Sequence, residues 1–267
     1  MEIKLKNVTY KKNIKKLNLT FKENEITSII GKNSCGKTDI LDLIYCTDLL
    51  EDGEIKIGDL IIDKNIKLKK VLQIRRNISY LVDDYKKQLF NINIFEDIKY
   101  AIGNINKELL ENLLKLFDLN ENILSKNYLE ISRGEKKKIC LIITFLKDSK
   151  VILLDNPTSG LDYKSTQNLI KFLKKEKRNG KIIILTSYNS DFVLQVSDRV
   201  IVIDDKKFIL DEDKYKAMSN KDLLNRVHFE TPNIINFENR VLELKKIKLG
   251  YRDNINDLIK DIYRNVK

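Results

Sequence analysis

The chain has 267 residues, enough for one large α/β domain or for one domain with a small appendage. Its 50 Lys and Arg against 39 Asp and Glu give a formal charge of +11, but the lysines are spread along the chain without an aromatic-interleaved basic stripe, so we expect no direct nucleic-acid binding. The N-terminus has no apolar signal-peptide core and no apolar run approaches the roughly 18 residues that span a bilayer, so neither a signal peptide nor a membrane span is expected.

A buried strand, a glycine-rich loop and a helix are predicted to follow one another near the start of the chain. Residues 26–30 form an apolar run, residues 31–38 read GKNSCGKT, and residues 39–44 have the pattern of a helix. In this context the G-x-x-x-x-G-K-T pattern predicts a phosphate-binding loop, the alternative being a simple glycine turn between strand and helix. We predict that the chain binds a nucleoside triphosphate here.

Each residue type in this loop has a part in holding phosphate. Gly31 and Gly36 let the backbone N–H groups turn inward, where the positive end of the following helix also points. Lys37 reaches the outer phosphates, and Thr38 offers its hydroxyl to the Mg²⁺ that the nucleotide carries. The predicted ATP-binding loop consists of Gly31, Lys32, Asn33, Ser34, Cys35, Gly36, Lys37 and Thr38.

Cys35 lies inside this loop, at a helix N-terminus and two residues from Lys37. Such a setting lowers the pKa of a thiol, so we predict a reactive Cys35 that nucleotide protects from alkylation; a buried, inert thiol is the alternative. With Cys46 and Cys140 it makes a set without a C-x-x-C pair, which suits a reducing cytoplasm.

Further apolar runs predict a parallel sheet. Residues 151–154, 182–185 and 200–203 have the pattern of buried parallel strands, and residues 162–178 and 191–196 that of helices between them. Strands that alternate with helices imply a parallel sheet with both faces covered. The α/β core is therefore expected to extend over residues 1–212.

Two other parts of the chain are predicted to be helical. Strand signals vanish at about 83–147, where residues 107–117 and 133–146 indicate an inserted helical subdomain. Residues 213–267 are expected to form a small helical extension. Its predicted helices carry apolar residues at helical spacing, with Phe237, Val241, Leu244 and Ile247 in one and Ile255, Leu258, Ile259 and Ile262 in a second that begins at Asn254.

Two short motifs add chemistry to this framework. Asp155 ends the strand at 151–154, so the sheet carries it to the edge where it can support Mg²⁺ beside Thr38. Ser132 and Glu135 form a predicted capping box at a helix start. Gly134 lies in that helix's first turn, where glycine costs about 0.5–1 kcal/mol relative to alanine, and indicates close approach of another molecule.

The ordered series of motifs resembles an ATP-binding cassette (ABC) ATPase over roughly residues 1–212. The joint order is far more specific than any single motif. The series comprises residues 31–38, 88–90, 131–135, 151–156, 159–162 and 186–187. Residues 78–90 with 95–98, and the tail at 223–263, resemble the energy-coupling factor (ECF) branch in particular.

The resemblance implies a P-loop NTPase fold of the ABC type with an antiparallel β edge, ATP and Mg²⁺ as ligands, and a dimer of cassettes. Each ATP would lie between the phosphate loop of one cassette and the signature of the other. By the resemblance, nucleotide contacts outside the phosphate loop would come from Tyr10, Ser132, Arg133, Gly134 and Asp162, with Ser132 and Gly134 touching the γ-phosphate held by the partner. The Mg²⁺ site would be formed by Thr38, Asp83 and Asp155.

ECF cassettes power the uptake of vitamins or metal ions. They pair on a membrane coupling subunit that joins a substrate-binding membrane component. The resemblance therefore implies a second ABC cassette and these two membrane proteins as partners, and a peripheral position at the cytoplasmic face of the cell membrane.

Several positions depart from the family pattern. Asn156 stands where the family has a glutamate that activates the attacking water, and losing general-base help typically costs about 10²–10⁴-fold in rate. Ser187 replaces the switch histidine that contacts the γ-phosphate, and Asp83 replaces a glutamine that helps to hold Mg²⁺ and water. Arg133 replaces the first glycine of the signature. Lys12 falls where an adenine-stacking aromatic is common, with Tyr10 the nearest substitute.

The changes at Asn156, Ser187 and Asp83 concern the hydrolytic water, whereas the phosphate and metal ligands are kept. We therefore favour a degenerate cassette in a heterodimer whose second cassette performs most of the hydrolysis. A slowly hydrolysing homodimer with Asp83 as the substitute group is the first alternative. A regulatory ATP-binding module without a transport role is the second, and a nucleic-acid-handling cassette is the least favoured.

Overall fold

The structure, a computed structural model, describes residues 1–11, 14–84, 88–247, 249 and 255–265. Within these ranges the strands form two sheets. One contains β1 (Glu2–Tyr10), β2 (Ile14–Lys22), β4 (Asp52–Ile57) and β5 (Leu60–Ile62). The other contains β3 (Glu25–Gly31), β6 (Ile78–Leu81), β7 (Val151–Asp155), β8 (Ile182–Thr186), β9 (Arg199–Asp204) and β10 (Lys207–Asp213). Their orders are β2-β1-β4-β5, all antiparallel, and β10-β9-β3-β8-β7-β6, parallel except for β10.

The predicted parallel strands are confirmed in β3, β7, β8 and β9. Their side chains alternate between the two faces of the sheet, as strand geometry requires. Leu153 and Ile184 pack into the core beneath the antiparallel sheet, whereas Leu154 and Leu185 pack into the core on the opposite, helical side. In register, Thr186 of β8 pairs with both Ile29 of β3 and Asp155 of β7, so the carboxyl ends of these three strands meet at one edge.

Helices cover both sheet faces. Two precede the central insertion, α1 (Lys37–Ile44) after the glycine-rich loop and α2 (Leu68–Arg76) before β6. The described residues between β6 and β7 contain α3 (Ile94–Ile102), α4 (Lys107–Leu116), α5 (Arg133–Leu146) and two short 3-10 turns, but no strand. α6 (Tyr163–Arg178) and α7 (Ser190–Val196) link β7 to β8 and β8 to β9. After β10 come α8 (Lys214–Ser219), α9 (Lys221–Arg226), α10 (Asn233–Lys245) and α11 (Ile255–Asn265).

The predicted fold class is confirmed: an α/β core with an antiparallel β edge, a helical insertion and a small helical C-terminal extension. The domain boundaries at 1–212, about 83–147 and 213–267 stay a prediction. No helix in the described ranges is both long and apolar enough to cross a bilayer.

The first part of the C-terminal extension packs against the α/β core. Ile235 of α10 is buried with Val227 and Phe229 in a core that also includes residues of α7 and β9. The helix is tied to α7 where Asn233 N donates to Asp191 Oδ1 at 2.8 Å. The apolar positions predicted from helical spacing lie beyond this anchor, and Phe237 and Leu244 are exposed. The start of the next helix at Asn254 lies outside the described residues.

Candidate functional site

The glycine-rich loop wraps tightly at the carboxyl end of β3. A Cβ atom on Gly31 would lie 2.1 Å from the carbonyl oxygen of Ile203, so no side chain fits there. Ser34 and Gly36 adopt positive φ angles of 59° and 103°, which curl the backbone toward the N-terminus of α1. The alternative of a simple glycine turn does not account for this close approach to β9 or for the lysine inside the loop.

Lys37 lies inside the loop and is only 4% exposed. Its Nζ donates to the carbonyl oxygens of Gly31 at 2.8 Å and Lys32 at 2.6 Å. Burial lowers the pKa of the Lys37 ammonium, because little water remains to solvate its charge. A phosphate oxygen would replace the lost water around this charge, so the loop is suited to bind an anion next to the Lys37 ammonium.

Asp155, Thr38 and Thr186 meet beside the loop, at the shared edge of β7, β8 and α1. Thr38 Oγ1 donates to Asp155 Oδ2 at 2.9 Å, and Thr186 Oγ1 donates to Oδ1 at 2.5 Å. Burial raises the pKa of Asp155, and the two hydroxyl donors oppose that shift. A carboxylate next to a threonine hydroxyl and the phosphate-binding ammonium fits a Mg²⁺ ion that also takes phosphate oxygens.

A cavity of about 640 Å³ adjoins this cluster, and Asp83 lines it together with Thr38 and Asp155. Its carboxylate accepts a hydrogen bond from Lys137 Nζ at 3.3 Å. Lys137 is buried on α5, and its Nζ also lies 3.5 Å from the carbonyl oxygen of Asp155. Asp83 therefore reaches the predicted metal site only by sharing its carboxylate with Lys137. Sequence reasoning missed Lys137 because nothing in the run of three lysines at 136–138 singles it out.

Asn156 and Ser187 are both held by backbone contacts at the ends of β7 and β8. Asn156 has a φ of 48°, a left-handed conformation that asparagine tolerates better than most residues. Its backbone N–H donates to the carbonyl oxygen of Thr186 at 3.2 Å. Ser187 is fully buried and its Oγ accepts from the N–H of Asn189 at 3.0 Å. Ser187 does not line the cavity shared by Thr38 and Asp155, whereas the adjacent Tyr188 is 49% exposed and lines a neighbouring pocket with Asn156 and Ser159.

Tyr10 is fully buried in β1, and its hydroxyl donates to Asp48 Oδ2 at 3.2 Å. Burial raises the pKa of Tyr10 to about 12. Because no face of the ring is open, the structure contradicts the prediction that Tyr10 stacks on adenine. A β strand turns alternate residues inward, and this position falls on the core side. Lys12, the other candidate position, lies outside the described residues.

The predicted capping box at the start of α5 is present. Glu135 N donates to Ser132 Oγ at 3.2 Å, and Ser132 N donates to Glu135 Oε2 at 2.8 Å. A Cβ atom on Gly134 would lie 3.0 Å from the carbonyl oxygen of Gly160, so the chain itself explains this glycine without another molecule. Ser132 and Arg133 are exposed. Their contact with a nucleotide on a partner stays a prediction.

Asp162 serves as the N-cap of α6. Its carboxylate accepts from Ser165 N at 2.7 Å and forms an ion pair with Lys138 at 3.1 Å. The backbone N–H of Ser165 is the largest of the effects that lower the pKa of Asp162 to about 2. The carboxylate has intramolecular partners that any nucleotide contact would have to share.

Cys35 is buried, and the prediction of a reactive thiol is wrong. Burial raises the pKa of the Cys35 thiol and outweighs the opposing effect of the Lys37 ammonium. Burial also raises the pKa of Cys46 to about 11 and that of Cys140 to about 12.

We expect alkylation of all three cysteines at pH 8 to be at least about tenfold slower in the native protein than in guanidinium, with or without ATP, because a buried thiol is neither ionised nor accessible. Peptide mass spectrometry measures this, and rapid native labelling of Cys35 would contradict it.

Comparisons with known proteins agree with this geometry. The ABC transporter family matches residues 14–159. The energy-coupling factor transporter ATP-binding protein EcfA2 of Mycoplasma capricolum is 30% identical over 224 residues, which cover 81% of this chain and 78% of the relative. The corresponding EcfA3 protein of Oenococcus oeni is 25% identical over 270 residues, which cover 96% of this chain and 92% of the relative.

Solved structures share the fold. The structure of cbiO1 from Clostridium perfringens, described as part of the ABC transporter complex cbiONQ, matches with a TM-score of 0.70 at 23% identity, covering 92% of this chain and 98% of that one. The dimeric bacterial ABC transporter cassette MJ0796 matches with a TM-score of 0.71 at 25% identity, covering 79% and 98%. The chain belongs to the ATP-binding cassettes of ABC transporters and is homologous to the ATP-binding proteins of energy-coupling factor transporters.

Proposed function

We propose that the chain is the ATP-binding subunit of an ECF-type importer, where it couples ATP binding and hydrolysis at a cassette dimer to uptake of a vitamin or metal ion. Cassettes of this family in general bind ATP with Mg²⁺ and hydrolyse it. The observation that carries the proposal is the convergence of Lys37, Thr38 and Asp155 at one sheet edge. The homology to ECF transporter ATP-binding proteins supports the assignment to an importer.

We infer that the two ATP sites of this dimer are unequal. The site on this chain's own phosphate loop keeps the binding groups but has an amide at Asn156, which cannot accept a proton from water. Ser187, at the position of the family's switch histidine, is buried, and its hydroxyl accepts from the N–H of Asn189. Ser132, by contrast, lies exposed at the start of α5, where a second cassette's nucleotide can reach it. A partner cassette with its own general base would therefore perform most of the hydrolysis.

An exposed apolar patch on the helical insertion fits a membrane coupling subunit. The patch consists of Phe90, Ile92, Phe95 and Tyr100, all exposed, and the rings of Phe90 and Tyr100 meet edge to face at 5.3 Å. Buried Asp97 holds the loop, because its Oδ1 accepts from the N–H of Phe90 at 3.0 Å. Exposed apolar side chains that gather in one short segment are typical of interaction sites. We propose that the coupling subunit docks here, at the cytoplasmic face of the membrane.

Replacing Ser132 should inactivate the partner's site. We expect Ser132→Asp to lower ATP turnover by the assembled pair at least about tenfold, because the hydroxyl donor proposed for the γ-phosphate of the partner's ATP is replaced by a carboxylate, which cannot donate and repels phosphate. Aspartate is an N-cap equivalent to serine, so the helix start is kept. The measurement is steady-state phosphate release by this chain mixed with a cassette of the same organism that has glutamate at the position of Asn156.

Ser125→Ala is the matched control, since Ser125 is an exposed serine whose hydroxyl donates only to its own turn, to the carbonyl oxygen of Asn122 at 2.9 Å. A pair whose turnover ignores Ser132 would contradict the heterodimer. Steady turnover by this chain alone would instead favour the homodimer with Asp83 as the substitute group. Tight ATP binding without any membrane partner would favour a regulatory ATP-binding module, a function that Asn156 and the buried Ser187 also permit.

A further inference from the structure

The turn after β8 directs two neighbouring side chains in opposite ways. Ser187 is fully buried, and its hydroxyl is held by the backbone of its own turn. Tyr188 is 49% exposed, and its ring centroid lies 4.6 Å from the Nζ atom of Lys37. Of these two residues, the one that reaches the phosphate-binding lysine is therefore the tyrosine.

The position of Lys37 defines where Tyr188 lies relative to a bound nucleotide. The lysine of this loop type binds the outer phosphates, so a ring against its ammonium lies beside them. The ammonium has three N–H donors; two go to the carbonyl oxygens of Gly31 and Lys32, and a third contact is the long one to the Cys35 sulfur at 3.9 Å. The ring of Tyr188 covers Lys37 by a cation–π contact. A phosphate oxygen that approaches Lys37 therefore also approaches Tyr188.

The hydroxyl of Tyr188 is available for such a contact. None of the hydrogen bonds found among residues 1–11, 14–84, 88–247, 249 and 255–265 involves it. Burial raises the pKa of Tyr188, and the charges of Asp155 and Asp83 add to the effect, so the phenol keeps its proton and remains a donor. Because the side chain is half exposed, its ring can turn without disturbing the core.

We infer that Tyr188 contacts the γ-phosphate of ATP bound to this chain. Its hydroxyl donates a hydrogen bond to the terminal phosphate held by Lys37, whereas the neighbouring Ser187 is buried. The inference rests on the proposed ATP binding. It assigns Tyr188 to discrimination between ATP and ADP, since ADP lacks the phosphate that the hydroxyl reaches. Without nucleotide, the same ring shields the ammonium of Lys37.

Isothermal titration of the full chain with Mg·ATP and with Mg·ADP tests this inference. Tyr188→Phe keeps the ring over Lys37 and removes only the hydroxyl. We expect it to weaken ATP binding by about tenfold, the effect of one hydrogen bond to a charged group, and to leave ADP binding unchanged. Ser187→Ala should change neither affinity, and Tyr263→Phe is the control for an exposed tyrosine elsewhere.

Each other outcome overturns the inference. Equal ATP affinity in Tyr188→Phe and the unaltered chain would mean that the hydroxyl makes no phosphate contact. Equal weakening of ATP and ADP would assign Tyr188 to packing of the loop, and selective weakening of ATP in Ser187→Ala would return the contact to the serine. If the unaltered chain binds neither nucleotide, the proposed function fails as well, which distinguishes the two failures.

Discussion

Replacing Asn156 with glutamate is expected to raise the rate of phosphate release from the chain's own site by about 10- to 100-fold. Asn156 directly follows Asp155 at the end of β7, and its backbone is fixed against Thr186 of β8. We expect a carboxylate introduced there to lie near the predicted metal and γ-phosphate positions, where it can take a proton from water. Full general-base catalysis contributes more, but Ser187 and Asp83 remain unsuited to orienting the water.

Asn156→Gln is the matched control, because it has the length of glutamate and no base. Both substitutions meet the same left-handed backbone, with a φ of 48°, so the conformational cost is shared and cancels in the comparison. Release of labelled phosphate in a single turnover at high protein concentration provides the measurement. Equal rates for the glutamate and glutamine variants would show that the missing base is not what limits this site.

Replacing Lys37 with alanine is expected to weaken Mg·ATP binding by about 100-fold or more. The Lys37 ammonium is buried in the loop and bonded to two loop carbonyls, whereas the other lysine of the loop, Lys32, is more exposed and pairs with Asp204 at 3.3 Å. Ligand-induced thermal stabilisation measures the loss directly. ATP at about 100 times its dissociation constant adds about 2.7 kcal/mol of stability to a protein that binds it, and should add almost none to the variant.

Lys164→Ala controls for the loss of one lysine charge, because Lys164 is exposed and pairs only with exposed Asp118, at 2.7 Å. The unfolding midpoint of Lys37→Ala without ATP checks that the variant still folds. An undiminished ATP shift in Lys37→Ala would place the nucleotide somewhere other than this loop.

The framework of the site could be predicted from the sequence because its signals are local. Apolar runs marked β3, β7, β8 and β9, and the spacing of glycine, lysine and threonine marked the loop between β3 and α1. The helix-capping roles of Ser132 and Glu135 also lie within one turn of chain. Such patterns need only the period of a strand or helix and the chemistry of a short segment.

The contacts that refine the site join segments far apart in the chain, and no local pattern reports them. Lys137 pairs with Asp83 across 54 positions, and Tyr188, in the turn after β8, meets Lys37 at the start of α1. Burial is equally non-local. Cys35 and Tyr10 have the expected neighbours in sequence, yet the surrounding core removes the reactivity predicted for one and the stacking face predicted for the other.

The measurement that tests the central claim most directly is to identify the nucleotide that stays on the purified chain. The chain is incubated with Mg²⁺ and ATP labelled in both the adenine and the γ-phosphate, and the bound fraction is separated and resolved. The chain keeps the groups that bind ATP but lacks the base that activates water. We therefore predict that the retained nucleotide is intact ATP. Recovery of bound ADP with released phosphate, or of no bound nucleotide, would contradict the account.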